Sequence, residues 1–196
     1  MPRIAEPPDQ NLPNGHVGIG DCCFALRPVL LATVLGSCVS VTFHHPGRGV
    51  GGMFHAMLPE KAMAKARQKP CLFADGAVDS MLERFRAAGL KPGELVVKLF
   101  GGANTMQDNH PLHLRDMLDV GRKNVEMARA ALTAHGLKPA AEDVLGPYGR
   151  KLFFNTGTGE VWLRYLNPEQ TRRVAVSESQ GEDPEGLADL RARGGQ

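Results

Sequence analysis

The sequence predicts an α+β fold, and three observations lead there. Short runs rich in β-branched and aromatic residues recur along most of the chain, as strands require. Two longer stretches carry apolar residues three and four apart, the helical period. The two kinds of segment do not alternate regularly, so a mixed, largely antiparallel sheet flanked by helices fits better than a doubly wound parallel sheet.

In chain order, residues 1–15 are rich in Pro, Asn and charge and read as a flexible arm. Strands are expected over 17–25 (VGIGDCCFA), 29–35 (VLLATVL), 38–44 (CVSVTFH) and 50–58 (VGGMFHAML). A short helix is expected near 60–67 (EKAMAKAR). Within 74–90, Val78, Met81, Leu82 and Phe85 share one helical face, and Gly89 can end the helix. A strand follows at 95–100 (LVVKLF). Within 121–137, Val125, Ala128, Ala131 and Leu132 form the buried stripe of a second helix, which Gly136 ends. Strands at 151–155, 160–166 and 172–176 complete the set, the first two joined by a Thr-Gly-Thr-Gly turn suited to a hairpin. No linker interrupts 16–176, so one domain is expected, with 177–196 as a polar tail.

The chain has 196 residues, enough for one well-buried core. Its net charge of +2 is small and its Lys and Arg are scattered, so no nucleic-acid footprint is expected. No apolar run approaches a membrane span, and the N-terminal stretch lacks the apolar core of a secretory leader. Cys22, Cys23, Cys38 and Cys71 include no C-x-x-C pair, and a chain of this size does not need staples. Reduced thiols and a cytoplasmic setting are therefore expected.

The stretch 33–41, TVLGSCVSV, sets a cysteine directly after Leu-Gly-Ser at the head of a strand. If 38–43 is extended, Cys38, Ser40 and Thr42 share a face; in the next strand Met53, His55 and Met57 share one. Between them, His45, Pro46, Gly47 and Arg48 carry the Pro-Gly order of a type II turn. A hairpin centred between Pro46 and Gly47 sets Cys38 directly opposite His55, with Cβ atoms roughly 4.5–5.5 Å apart. That register assumes a symmetric turn, and Gly49, Gly51 and Gly52 could host a bulge. A free thiol, with a pKa near ~8.5, is little ionised at neutral pH; an adjacent imidazole that takes its proton activates it. The imidazolium then protonates a leaving amine. Gly36 would admit a close substrate backbone, and backbone N–H groups beside Cys38 could hold an oxyanion. Taken singly, however, a cysteine is most often a small buried hydrophobe, and a strand histidine an ordinary core or surface residue.

The wording around both residues adds to this. LGSCVSV, GGMFHAMLP, KLFGGANTM, VGRKNVEMARAAL and GRKLFFNTGTGEV, in that order within 17–161, resemble the CheD family, the chemoreceptor glutamine deamidases of bacterial chemotaxis. The resemblance implies hydrolysis of the side-chain amide of particular glutamines on methyl-accepting chemotaxis receptors, releasing ammonia. It implies a cysteine nucleophile at Cys38, a histidine at His55 and a threonine as third member, with no metal or organic cofactor. It also implies a layered α/β sandwich related to bacterial toxin deamidases, and binding to the phosphatase CheC in organisms that have it. The family threonine sits six residues before the cysteine. Here that position is Ala32, and Thr33 comes one step later, which on a strand reverses the side chain. A bulge could restore Thr33, another polar group could orient His55, or the third member could be dispensable. Gly36, Ser37, Gly101 and Gly102 are the expected substrate-binding positions. The same apparatus could hydrolyse a glutamate methyl ester. The alternative is a non-catalytic chemotaxis adaptor that binds receptors or CheC; a cysteine protease is a third reading.

Other candidates read as ordinary structure. His44, His45, His110 and His113 lack the converging Cys and His spacing of a zinc site, so no metal is expected. Phe100, Gly101, Gly102, Ala103 and Asn104 lack the Gly-Lys-Ser/Thr ending of a phosphate loop. Arg122 and Lys123 in the first turn of the second helix could attract an acidic partner or simply be solvated. Met53 and Met57, beside His55, read as core, and Cys22, Cys23 and Cys71 as structural, with Cys71 near the surface.

Overall fold

The computed structural model describes residues 11–60, 69–104, 119–167, 169–171 and 173. Its organising element is the strand Val39–His45 (β4), which buries six of its seven residues. A strand buried on both faces needs a layer on each side. Val39, Val41 and Phe43 face one core, shared with the helices Ala74–Ala87 (α1) and Val120–Ala134 (α2). Side chains alternate across a strand, so Ser40, Thr42 and His44 face the opposite way. There a second core joins Met53 and Phe100 to Leu31, Leu35, Leu152, Phe154 and Leu163. Among the described residues the result is three layers: two long helices, a five-stranded sheet and a four-stranded sheet.

The five-stranded sheet runs β2-β5-β4-β6-β7, from Cys22–Ala25 (β2), Val50–Phe54 (β5), β4, Val96–Gly101 (β6) and Ala141–Val144 (β7). The four-stranded sheet runs β1-β3-β8-β9, from Asn14–His16 (β1), Leu30–Leu35 (β3), Gly149–Asn155 (β8) and Val161–Leu166 (β9). Each is antiparallel except for one parallel pair at an edge, β6 with β7 and β1 with β3. The α+β class with mixed, largely antiparallel pairing is what the sequence leads one to expect, divided between two sheets.

Both long helices follow their apolar periods. Val78, Met81, Leu82 and Phe85 are buried on α1, and Val125, Ala128 and Leu132 on α2. Each ends in a left-handed glycine, Gly89 at φ 76° and Gly136 at φ 70°. The residues beyond close six-to-one bonds, Leu90 N to Phe85 O and Leu137 N to Leu132 O, both at 2.9 Å.

Several expectations need correction. Of the single strand expected over 17–25, only Cys22–Ala25 is a strand; two strands in different sheets lie here, and the earlier one, Asn14–His16, ends short of Val17, with Gly20 at φ 78° between them. The first of them begins at Asn14, inside the stretch read as an arm, and pairs in parallel with β3. β7 was not anticipated: its sequence, AEDV, has little β propensity and gains its place by pairing with β6. Of the strand expected at 172–176, only Arg173 is described, and it is helical. The short helix at 60–67, His110, His113 and the tail at 177–196 lie outside the described residues, apart from Glu60.

The thiols differ too. Cys22 and Cys71 form a disulfide across 49 residues, with Cα atoms 5.9 Å apart, where reduced thiols were expected. Cys71 is buried, not near the surface. The adjacency of Cys22 and Cys23 is no obstacle, because neighbours on a strand point to opposite faces. Cys22 packs against the helix-side core and Cys23 against the core between the sheets.

Candidate active site

The chain crosses from one sheet to the other between Leu35, the end of β3, and Val39, the start of β4. Gly36, Ser37 and Cys38 make that crossing, outside both ladders and half-buried. Cys38 thus sits at the seam of the two sheets, packed against the core between them. His55 lies just past the end of β5, with its backbone held by Asp21 O at 3.0 Å and by Gly20 N at 2.7 Å.

The register relating them differs from the one expected. Thr42 pairs with Met53 and His45 with Val50, and an isolated bridge joins Val39 to Ala56. In that register Ser40 is across from His55, and Cys38 is across from Met57. The cause is the turn. It spans Pro46 to Gly49, with Arg48 N and Gly49 N both donating to His45 O, and Gly49 rather than Gly47 takes a positive φ of 58°. A longer turn slides the register by two residues. Two is the period of a strand, so Cys38 and His55 keep a common face but become diagonal neighbours rather than direct ones.

Thr33 reaches His55 without any bulge. Its Oγ1 lies 2.9 Å from His55 Nδ1 and donates to Val17 O at 2.7 Å. The concern that one residue reverses a side chain holds within a continuous strand. Thr33 belongs to β3 in the four-stranded sheet and Cys38 follows the crossing, so strand parity is not carried from one to the other. Thr33 points into the space between the sheets and meets a histidine from the opposite layer.

These contacts assign the imidazole. His55 Nδ1 is 3.3 Å from Val17 O, which can only accept, and Thr33 spends its proton on that same carbonyl. Nδ1 therefore carries the hydrogen, shared between Thr33 Oγ1 and Val17 O. In the neutral ring the lone pair is then on Nε2. A carbonyl and a hydroxyl hold the ring in the tautomer that a general base needs.

Gly101 and Gly102 stand behind Cys38. Gly102 N donates to Cys38 O at 2.7 Å, and a Cβ on Gly101 would lie 2.2 Å from that same oxygen. A Cβ on Gly102 would meet Val125 Cγ2 at 2.4 Å. Both glycines are buried and have positive φ. Gly101 lets the end of β6 press against the Cys38 backbone, and Gly102 lets the start of α2 press against the end of β6. At Gly36 the close neighbour is Thr171, whose Cγ2 would be 3.2 Å from a Cβ placed there.

Three participants escaped the sequence reading. Val17 acts through its backbone oxygen, which no side-chain pattern can reveal. Ser40 is fully buried across from His55, and its Oγ has no hydrogen-bond partner among the described residues. Asn124, also fully buried, donates from Nδ2 to Ser37 O at 3.0 Å and to Met57 O at 2.9 Å. A signal for Asn124 was available: it is a polar residue on the buried stripe of α2, between Gly121 and Val125.

Other polar groups are occupied elsewhere. Burial desolvates His44 and leaves its pKa below the usual imidazole value, against the opposing pull of its Nδ1 hydrogen bond to Thr156 O at 3.1 Å. His45 contacts Glu94 at 3.3 Å, and Arg122 pairs with Glu126 and Asp119. No group of three or more metal-ligating side chains occurs among the described residues, and no helix among them is long and apolar enough to cross a membrane.

The family model described as CheD chemotactic sensory transduction matches residues 57–165. A Nitratidesulfovibrio vulgaris protein named "Probable chemoreceptor glutamine deamidase CheD" is 52% identical over 163 residues, 83% of this chain and 82% of its own. An alignment of that length includes positions 38 and 55. An Oleidesulfovibrio alaskensis protein of the same name is 45% identical over 88% of this chain and 82% of its own. A solved structure, the Bacillus licheniformis hypothetical protein YfiH, aligns at 20% identity and TM-score 0.43 over 65% of this chain and 51% of that one, too slight a likeness to bear on fold or function.

Proposed function

The chain belongs to the CheD family, and from that premise we propose that it is a cysteine-dependent deamidase of glutamines on chemotaxis receptors. The observation that carries the reading is the tether of His55 Nδ1 to Thr33 and Val17, which leaves Nε2 as the basic atom on the face shared with Cys38. Two relatives carry a glutamine deamidase name, which supports the substrate class.

The reaction then runs in two halves. His55 Nε2 takes the Cys38 proton, and the thiolate sulfur attacks the glutamine carboxamide carbon. The carbonyl π electrons move to oxygen, and backbone N–H groups beside Cys38 stabilise that oxyanion. The carbon–nitrogen bond breaks as His55 returns the proton to nitrogen, so ammonia leaves and a thioester remains. A water then attacks the thioester carbon while His55 Nε2 takes its proton. The carbon–sulfur bond breaks, glutamate is released and the thiol is restored. The sum is one amide and one water giving one carboxylic acid and one ammonia.

In this reading Gly36 and Ser37 border the groove, Gly101 and Gly102 form its inner wall behind Cys38, and Met57, 37% exposed, forms an apolar rim. The Cys22–Cys71 disulfide removes the argument from reduced thiols, and a cytoplasmic location rests on the receptor substrate. CheC is a further partner on this reading where the organism has it.

The test is incubation with receptor cytoplasmic fragments, reading ammonia and the ~1 Da mass gain per converted glutamine that follows from exchanging an amide for an acid. Wild type should convert glutamine, and Cys38→Ala should release no ammonia. Receptor binding without conversion by the wild type would favour the adaptor instead, and backbone cleavage would favour a protease.

A further inference from the structure

Asn124 lies at a fork. The bridge between Val39 and Ala56 is the last pairing of β4 with the chain that follows β5. Beyond it the two segments part, and Met57 N and Leu58 N both donate to Leu72 O at 3.0 Å. In a continued antiparallel ladder, Leu58 N would have served Ser37 O. Asn124 supplies donors in its place, from one nitrogen to Ser37 O at 3.0 Å and Met57 O at 2.9 Å.

Two carbonyls facing one end of the amide decide its orientation, since the flipped amide would set Oδ1 against both of them. The opposite end is left exposed to a cost. Oδ1 is buried and has no hydrogen-bond partner among the described residues. A stranded buried acceptor is unfavourable, and a chain that keeps one has a use for the other end of the group.

That use follows from the peptide joining Ser37 to Cys38. No cis peptide bond occurs among the described residues, and in a trans peptide the C=O of one residue and the N–H of the next point in opposite directions. By holding Ser37 O toward α2, Asn124 turns the Cys38 N–H away from α2. We propose that Asn124 is a positioning residue that holds the peptide between Ser37 and Cys38 so that the Cys38 N–H serves as an oxyanion donor. The second bond, to Met57 O, keeps the segment after His55 in register with this peptide. The role belongs to the deamidase reading, but its test does not need the receptor.

Two reagents separate oxyanion support from thiol reactivity. p-Nitrophenyl acetate acylates sulfur: the carbon–sulfur bond forms through a tetrahedral oxyanion, the ester carbon–oxygen bond breaks, and p-nitrophenolate departs while the thiol proton passes through His55 to solvent. Iodoacetamide alkylates sulfur by displacing iodide at a saturated carbon, and no oxyanion forms. Both rates are measured at Cys38 by peptide mass mapping in wild type, Asn124→Ala, Asn124→Ser and Leu132→Ala. Leu132 is buried further along α2 and controls for helix destabilisation.

For Asn124→Ala, acylation should slow by about tenfold or more while alkylation stays within about twofold, since losing one oxyanion donor outright costs ~10²–10³ in rate. Asn124→Ser, with a single donor, should fall between, and it carries the test if the alanine variant does not fold. Leu132→Ala should lower Tm and leave the ratio of the two rates unchanged. Acylation at the wild-type rate in the Asn124 variants overturns the inference. So does a parallel fall in both rates, an equal change of ratio in Leu132→Ala, or a wild type that is alkylated but not acylated. A wild type acylated at Cys38 that frees no ammonia from receptor fragments refutes the substrate reading and leaves the role of Asn124 standing.

Discussion

Replacing Thr33 by valine removes one hydroxyl and preserves the shape of the side chain. Thr33 is 1% exposed, so a methyl group takes the space and water does not. The hydroxyl accepts from His55 Nδ1 at 2.9 Å and donates to Val17 O at 2.7 Å. In the variant, the Nδ1 hydrogen keeps Val17 O, at 3.3 Å, which is a long bond. A buried donor left poorly satisfied costs about 1–3 kcal/mol. The ring can relieve that cost by rotating or by moving its proton to Nε2, and either change takes the lone pair away from Cys38. If the whole cost falls on the reactive arrangement, kcat drops by roughly 5- to 150-fold. KM should move by less than about threefold, because Thr33 supports the histidine from within the protein and does not touch substrate. The assay is steady-state ammonia release from receptor cytoplasmic fragments, with Tm measured in parallel. Thr33→Ser retains the hydroxyl and should retain most of kcat. A Thr33→Val enzyme whose kcat stays within about twofold of wild type would refute the claim that this hydroxyl holds the imidazole.

Two further outcomes concern stability. The disulfide closes a loop of 49 residues, for which chain entropy gives a stabilisation of about 4 kcal/mol. Reduction should then lower Tm by roughly 8–16 °C in a chain of this size, and calorimetry with and without reductant reads this directly; a Tm indifferent to reductant, in a protein whose free-thiol count is four, argues that the bond is not closed in solution. His44 has its pKa lowered, chiefly by burial and secondarily by Lys98 and His45, against hydrogen bonds that raise it. The unfolded chain takes up this proton near pH ~6.5 and the folded protein only lower, so the contribution is whole above that pH and is lost as pH falls toward the folded value. Urea unfolding at pH 7.5 and 5.5 should lose more stability on acidification in wild type than in His44→Gln; equal losses would exclude His44 as a source.

Much of the fold could be read locally. The stripes of α1 and α2, their glycine ends and the common face of Cys38, Ser40 and Thr42 are properties of a few consecutive residues, and the structure has them. The common face of Cys38 and His55 survived an error in register, because the turn was longer by an even number of residues. Thr33 shows the opposite case. Counting residues from the cysteine put its side chain in doubt, yet the chain changes sheets at Gly36, and counting stops having meaning at that point. β7 could not be read, since AEDV becomes a strand only through its neighbour β6. The disulfide joins residues whose spacing has no signature, and Asn124 acts on carbonyls in two other segments.

Local pattern therefore decided which residues face which way within each element, and which chemistry the chain can carry. Docking of the layers decided which of those residues meet: sheet on sheet for Thr33 with His55, and the helical layer on its sheet for Asn124 with the backbone at Ser37 and Met57 and for Cys22 with Cys71. The division has a simple physical origin. Helical and strand periods are set by bonds between near neighbours, whereas the meeting of distant residues depends on turn lengths and on how two buried faces pack.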